Sequence, residues 1–299
     1  MYLSYSGHKT YKDCPRQYWH RYIAKTTLTD PENKANSLYG STIGTLFEYF
    51  YNERIWLTPN VAPILEGRVD ALLEDLIRRE SEKGVVDWSD PKSTYSSLAA
   101  VRHDVITSIP RGVAIIRQHR LLGTDAQAEV KLDSSIGGHT IGGRADFILR
   151  RTKPHGDLVI LDGKGSRHRD RYVDPHQLWW YAMLYRHLHS TLPDRLGFVF
   201  WRQEPETSLD WVEFDGSSLD GLLSGVLNNV EVIQENKTIL SRINNANEIN
   251  AALMELFPTF LGDKCRLCAY QPLCPEGTGY VTKRTPPDFD ITGIEDVSF

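Results

Sequence analysis

The sequence predicts an α/β fold. Helical spacing dominates residues 61–120 and returns after His176, while strand patterns fill the chain between Gln127 and Lys164. The sharpest strand is Leu158-Val159-Ile160-Leu161-Asp162-Gly163-Lys164. Its run of consecutive apolar residues suits a strand covered on both faces. It then meets a carboxylate, a glycine and a lysine. Opposite charges at the end of a buried strand imply solvation at its mouth or a chemical task. An earlier strand, Gly142-Gly143-Arg144-Ala145-Asp146-Phe147-Ile148-Leu149, carries its own carboxylate, Asp146. Side by side, the two strands would gather Asp146, Asp162 and Lys164. Two carboxylates offer hard oxygen ligands to a divalent cation. A lysine orients a water or stabilises developing negative charge. The set is what a metal-dependent phosphodiesterase needs.

At 299 residues the chain can bury a substantial core. No apolar run approaches membrane-spanning length, and Met1-Tyr2-Leu3-Ser4 does not open a signal peptide. The expected location is cytoplasmic, with no membrane partner. A net charge of −5 argues against a wholly basic wrapping surface but leaves room for a local basic track. Cys265, Cys268 and Cys274 form C-x2-C-x5-C, and Cys14 stands far from them. A cytosolic chain rarely keeps disulfides, so the cluster reads as a metal site.

In chain order, Ser4 or Ser6 caps a helix running to about Asp13. Cys14-Pro15 breaks it, and Pro15 suits the first residue of a second helix carrying Tyr18, Trp19 and Tyr22. Residues 24–37 read as a loop. Gly40 opens a helix expected to continue to about Trp56, with Glu48 inside its aromatic run. By residue type alone, Glu48 belongs on the solvent face. Val69–Arg79 and Ser96–Leu122 have helical spacing, the latter expected to bend near Pro110. Ala128–Leu132 alternates as a strand, Gly137-Gly138 signals a hairpin, and His139 to Arg150 reads as one strand. Glu129 could face the carboxylates or lie exposed on an edge. Gly165 to Arg171 is a basic loop, and Arg167, Arg169 and Arg171 are its candidate phosphate contacts. His176–His189 is a helix with Gln177 and Tyr181 one turn apart. Strands follow at Leu196–Trp201 and Leu209–Phe214, then helices at Ser217–Glu235 and Glu248–Leu256. The chain after Gly279 reads as extended or disordered.

These motifs together resemble the RecB-like branch of the PD-(D/E)xK nucleases, in particular members with an iron–sulfur cluster. That group includes CRISPR-associated RecB-like exonucleases, the AddB nuclease domain and phage-encoded exonucleases. Ser4-x-Ser6-x4-Tyr11-x2-Cys14-Pro15 resembles the N-terminal cysteine motif, and Gly143-x-x-Asp146 the second nuclease motif. Asp162-Gly163-Lys164 resembles the D/E-x-K motif, Gln177-x3-Tyr181 the Q-x3-Y helix, and Cys265, Cys268 and Cys274 the C-terminal triplet. One position departs: Gly44-x3 leads to Glu48 where the family usually has histidine. Glutamate still binds Mg²⁺ or Mn²⁺ through oxygen.

The resemblance implies a restriction-endonuclease-like core, a central mixed sheet flanked by helices. It also implies a helical subdomain and a cysteine-ligated cluster joining the two ends of the chain. The expected divisions are 1–23 (N-terminal helices), 24–125 (helical subdomain), 126–240 (nuclease core), 241–278 (cluster segment) and 279–299 (tail). Asp146, Asp162, the Gly163 carbonyl and Glu48 would hold Mg²⁺ or Mn²⁺, with Lys164, Gln177 and Tyr181 completing the catalytic group. Cys14, Cys265, Cys268 and Cys274 would bind a cluster. Spacing alone leaves zinc and iron–sulfur open; the resemblance favours 4Fe–4S. The implied activity is a DNA exonuclease on single strands or ends, in recombination, repair, CRISPR adaptation or phage DNA metabolism. The chief alternative is a DNA-binding accessory protein without turnover. A third reading, RNA cleavage, is weaker. No helicase motif is present, so any unwinding would come from a helicase or a recombination or CRISPR partner. Oligomeric state is not legible.

Overall fold

The computed structural model describes residues 1–28, 33–82, 84–91, 93–166, 169 and 173–284. In chain order the elements are β1 (Tyr2–Ser4), α1 (Tyr5–Asp13), α2 (Pro15–Tyr18), α3 (Ser37–Asn52), α4 (Val61–Glu66), α5 (Val69–Ser81) and α6 (Leu98–Gln118). There follow β2 (Gln127–Lys131), β3 (Ser134–Ile136), β4 (His139–Gly142), β5 (Arg144–Arg150), β6 (Leu158–Lys164), α7 (Pro175–His189), β7 (Arg195–Phe200) and β8 (Leu209–Val212). The last helices are α8 (Gly216–Ser241), α9 (Ala246–Leu256) and α10 (Pro275–Arg284). The fold is mixed α/β, as the sequence predicts.

Two compact units divide the chain. The first takes Met1–Asp30, Ser134–Gly142 and Gly221–Gly293. In it, β1, β4 and β3 form a sheet in the order β1-β4-β3, with β1 parallel and β3 antiparallel to β4. Ser4 caps α1, its hydroxyl accepting from the Gly7 amide at 3.2 Å. Cys14 ends that helix, and Pro15 starts α2, which continues as a π-helical turn over Trp19–Ile23. Arg16 fixes the later chain to this start: its Nε donates to the Phe257 carbonyl at 2.9 Å.

The second unit takes Pro31–Asp133 and Gly143–Asp220, with the far C-terminus outside the described residues. Its sheet has the order β2-β5-β6-β7-β8, antiparallel except for the parallel β6–β7 pair. One face contributes Ala128, Phe147, Leu149, Val159, Leu161 and Val199 to a core shared with α3, α5 and α6. α7 contributes the buried side chains Leu178, Trp180, Tyr181, Ala182, Met183 and Leu184. A strand sandwiched between helical layers needs no alternation, which explains the apolar run of β6.

Three elements differ from the sequence reading. The stretch His139 to Arg150 is two strands in two sheets, and the chain changes sheet at Gly143. A Cβ on Gly143 would lie 3.1 Å from the Tyr181 ring, so glycine eases this close passage. α3 begins at Ser37 and stops at Asn52, short of Trp56, because Arg54 adopts the left-handed conformation (φ 54°). α10 carries the chain in helix to Arg284, past Gly279, where extended chain was expected. Residues 285–299 lie outside the described residues. Pro110 stands within α6, which continues through it to Gln118.

Candidate active site

Strand register builds the site. β5 and β6 pair Phe147 with Leu161, so Asp146 stands opposite Asp162. β2 and β5 pair Ala128 with Phe147 and Val130 with Ala145, so Glu129 stands opposite Asp146. Directly opposed residues of antiparallel strands point to the same face. Asp146 and Asp162 therefore share the face turned away from the shared core that takes Phe147 and Leu161, and Glu129, whose charge acts on Asp146, extends the row onto a third strand.

Each member is held. Asp146 Oδ2 accepts from the Gly163 amide at 2.7 Å. Asp162 is buried, 3% exposed, and its Oδ1 accepts from Gln177 Nε2 at 2.8 Å. Its Oδ2 lies 2.7 Å from Lys164 Nζ, an ion-pair distance, yet receives no hydrogen bond of acceptable geometry. Lys164 Nζ instead donates to Gln177 Oε1 at 3.1 Å and stands 5.3 Å from the centre of the Phe198 ring. Gln177 Nε2 also lies 3.1 Å from the Tyr181 hydroxyl. One amide thus ties together Asp162, Lys164 and Tyr181. Helix α7 presents Gln177 because its start is fixed: Asp174 Oδ1 accepts from the His176 amide at 3.2 Å and Pro175 opens the first turn.

The electrostatics are those of crowded anions. Burial raises the Asp146 carboxyl well above its ordinary range, and the Asp162 charge raises it further. Glu129 is raised by burial first, then by the Glu48 charge. Tyr181 is raised by burial and then by Asp162, which keeps its phenol protonated. Glu48, partly exposed on α3, thus belongs electrostatically to the same cluster rather than to an isolated solvent face. Glu129 also has φ 55°, an unusual conformation for a non-glycine residue within a strand. Residue type and spacing carried no signal of that twist. Its carboxylate lies 3.4 Å from Arg144 Nη1.

The other candidates separate. Arg169 is engaged by the carboxylate of Asp210 and lies 5.4 Å from the centre of the Phe200 ring. Arg167 and Arg171 lie outside the described residues. In the first unit, Cys14, Cys265, Cys268 and Cys274 line one small cavity of about 30 Å³ with His20, Thr259 and Tyr270. All four are free thiols. The Gly277 amide donates to Cys274 Sγ at 3.3 Å. Burial raises the Cys268 thiol, and the other three cysteines add to that rise. Among the described residues, no three His, Cys, Asp or Glu side chains are arranged as they stand to hold a metal ion. No helix among them is long and apolar enough to cross a membrane.

The sequence profile of the PD-(D/E)XK nuclease superfamily matches residues 2–275. The chain belongs to that superfamily. The row of carboxylates and the Asp162-Gly163-Lys164 strand end are therefore read as parts of a nuclease fold. No curated protein matches the chain. Among solved structures, a protein of Eubacterium rectale described as a candidate exonuclease is similar over 81% of this chain and 83% of its own, at 16% identity and a TM-score of 0.45. The structure of SSO0001 is similar over 81% of this chain and 95% of its own, at 15% identity and a TM-score of 0.30. VC1899 of Vibrio cholerae is similar over 68% of this chain and 49% of its own, at 14% identity and a TM-score of 0.23.

Proposed function

We propose that this nuclease-family chain is a divalent-metal-dependent exonuclease of the RecB-like type, acting on single-stranded DNA or DNA ends. The row Glu129–Asp146–Asp162, ending at Lys164, carries the reading. Several carboxylates crowded around a buried Asp162 oxygen without a hydrogen bond suit a hard cation. Asp146, Asp162, the Gly163 carbonyl and Glu48 are the residues that would hold it. When bound, Mg²⁺ or Mn²⁺ supplies an acidified water and neutralises charge on the phosphate.

The chain's own groups then have distinct tasks. Lys164 Nζ, steered by Gln177, faces the attacking oxygen or a non-bridging phosphate oxygen as negative charge grows. The water oxygen forms a bond to phosphorus, the bond to the leaving sugar oxygen breaks, and a proton returns to that oxygen. Tyr181 stays protonated and serves by holding Gln177, not as a base. Incubating end-labelled single- and double-stranded DNA with Mg²⁺ or Mn²⁺ tests this reading. Stepwise, metal-dependent loss of terminal nucleotides is expected. A wild-type protein that binds DNA but never cleaves it would favour the accessory reading, which Glu48 in place of the usual histidine supports.

The cysteine cavity supports a cofactor proposal as well. Four free thiols from both ends of the sequence share one cavity, a donor set suited to a 4Fe–4S cluster or to zinc. The sequence motif favours the iron–sulfur cluster, in a structural role. Anaerobically purified protein is expected to absorb in the visible and to contain iron and sulfide; colourless protein with stoichiometric zinc would reverse the choice.

A further inference from the structure

A buried ionic cluster in the second unit stands apart from the row of carboxylates. Arg202 lies two residues beyond the end of β7, and its side chain is 9% exposed. Its guanidinium carbon is 3.5 Å from the centre of the Tyr39 ring, a stacking contact with α3. Its Nη2 lies 2.9 Å from Asp104 Oδ2 on α6 and donates to the Tyr95 hydroxyl. That hydroxyl donates in turn to Asp104 Oδ2 at 2.6 Å. One turn further along α6, Ser108 accepts from the Tyr39 hydroxyl at 2.9 Å. Among the described residues, the buried Arg202 Nε has no hydrogen-bond partner. An unpaired buried donor costs stability. The pose therefore follows the Tyr39 stack and the Asp104 pair rather than full hydrogen bonding.

Both sides of this cluster reach the end of β6. On one side, the Trp201 amide, next to Arg202, donates to the Lys164 carbonyl at 3.1 Å. On the other, the Tyr39 ring lies against Gly165, where a Cβ would be 3.3 Å from two ring atoms. Strand pairing gives no further hold, since Lys164 and Phe200 are the last pair of β6 and β7. The Lys164 ammonium sits on a flexible four-carbon stem, so its reach depends on where the backbone starts it.

We propose that Arg202 is a positioning residue for Lys164. It fixes the Trp201 amide that holds the Lys164 carbonyl, and it stacks on the ring that backs Gly165. Asp104 matches its charge, so Arg202 acts through geometry and not through its field. The proposal rests on the nuclease reading and adds to it the device that aims the lysine.

The test uses the full chain and reads cleavage and binding separately. Cleavage is single-turnover digestion of end-labelled single-stranded DNA in Mn²⁺; binding of the same strand is read by fluorescence anisotropy in Ca²⁺. Arg202→Lys keeps a cation opposite Asp104 and loses the flat stack on Tyr39. It should slow cleavage roughly 10- to 100-fold and leave binding within about twofold. In a Lys164→Ala background the same change should cost nothing further, because no ammonium is left to aim. An equal loss in both backgrounds, a matching loss of binding, or cleavage by Arg202→Lys within about twofold of wild type overturns the proposal. If Arg202→Lys does not fold, the neutral pair Arg202→Met with Asp104→Asn takes its place under the same criteria. Amide exchange read by mass spectrometry judges the grip without cleavage. The Trp201 amide should exchange faster in the variant, and unchanged exchange overturns the grip. Faster exchange alongside a wild type that never cleaves upholds the grip on Lys164 and sinks the nuclease reading instead.

Discussion

Gln177 is the residue on which the site's geometry turns. Its amide contacts Asp162, Lys164 and Tyr181, so it sets where the Lys164 ammonium points. Gln177→Ala should lower kcat roughly 10- to 100-fold with little change in KM, the scale seen when an orienting partner is lost. An unchanged kcat would show that Lys164 finds its place unaided. Gly163 is constrained differently. A Cβ there would stand 2.7 Å from Trp201 Nε1, on a strand that cannot shift without moving Asp162. Gly163→Ala should cost about 1–3 kcal/mol of stability. Adding Trp201→Phe should recover part of that loss, measured as a double-mutant cycle in denaturant; strict additivity would place the strain elsewhere. The sequence motif announced Asp162 and Lys164. It held no hint that the residue between them is glycine because an indole covers it.

At the scale of elements, the three-strand row has a consequence for pH. Asp146 titrates higher in the folded protein than in the unfolded chain, through burial and the Asp162 charge. The folded state therefore binds more protons between the ordinary aspartate range and that raised value. Stability of the metal-free protein should fall as pH rises through this window. A divalent ion that binds the deprotonated row competes with those protons, so the thermal shift on adding Mn²⁺ should grow as pH rises from about 5 to 8. A shift independent of pH would separate the row from the metal site. Much of this level was legible in the sequence. β6 was marked by its apolar run, α7 by its spacing and α1 by Ser4. The sheet change at Gly143 was not, because residues 139–150 carry no turn signal stronger than Gly142-Gly143 while their strand partners change. Glu129 stayed ambiguous for a related reason: a carboxylate on an edge strand reads as exposed until register sets it opposite Asp146.

At the scale of the whole molecule, the cysteine cavity joins chain segments more than two hundred residues apart in sequence. Cys14 comes from the break between α1 and α2, and Cys265, Cys268 and Cys274 from the turns before α10. Nearby, Arg16 donates to the Phe257 carbonyl and Lys264 pairs with Asp13 at 2.5 Å. If the thiols share one cofactor, Cys14→Ser should abolish the visible absorbance and lower the thermal midpoint of the first unit, since a clip closing so long a loop stabilises most. Unchanged absorbance and an unchanged thermal midpoint in Cys14→Ser would contradict that clip. The spacing of the triplet was plain from sequence; its meeting with Cys14 depended on motif resemblance, since no local pattern links positions so distant.

In the proposed function, Asp162 and Lys164 catalyse metal-dependent cleavage of DNA. Single-turnover digestion of end-labelled single-stranded DNA in Mn²⁺ by wild type, Asp162→Ala and Lys164→Ala tests it most directly, with circular dichroism of each protein as the control for folding. Cleavage by wild type that EDTA stops, and a loss of at least about 10³-fold in both folded variants, is the predicted result. Cleavage by either variant within a few-fold of wild type would contradict it.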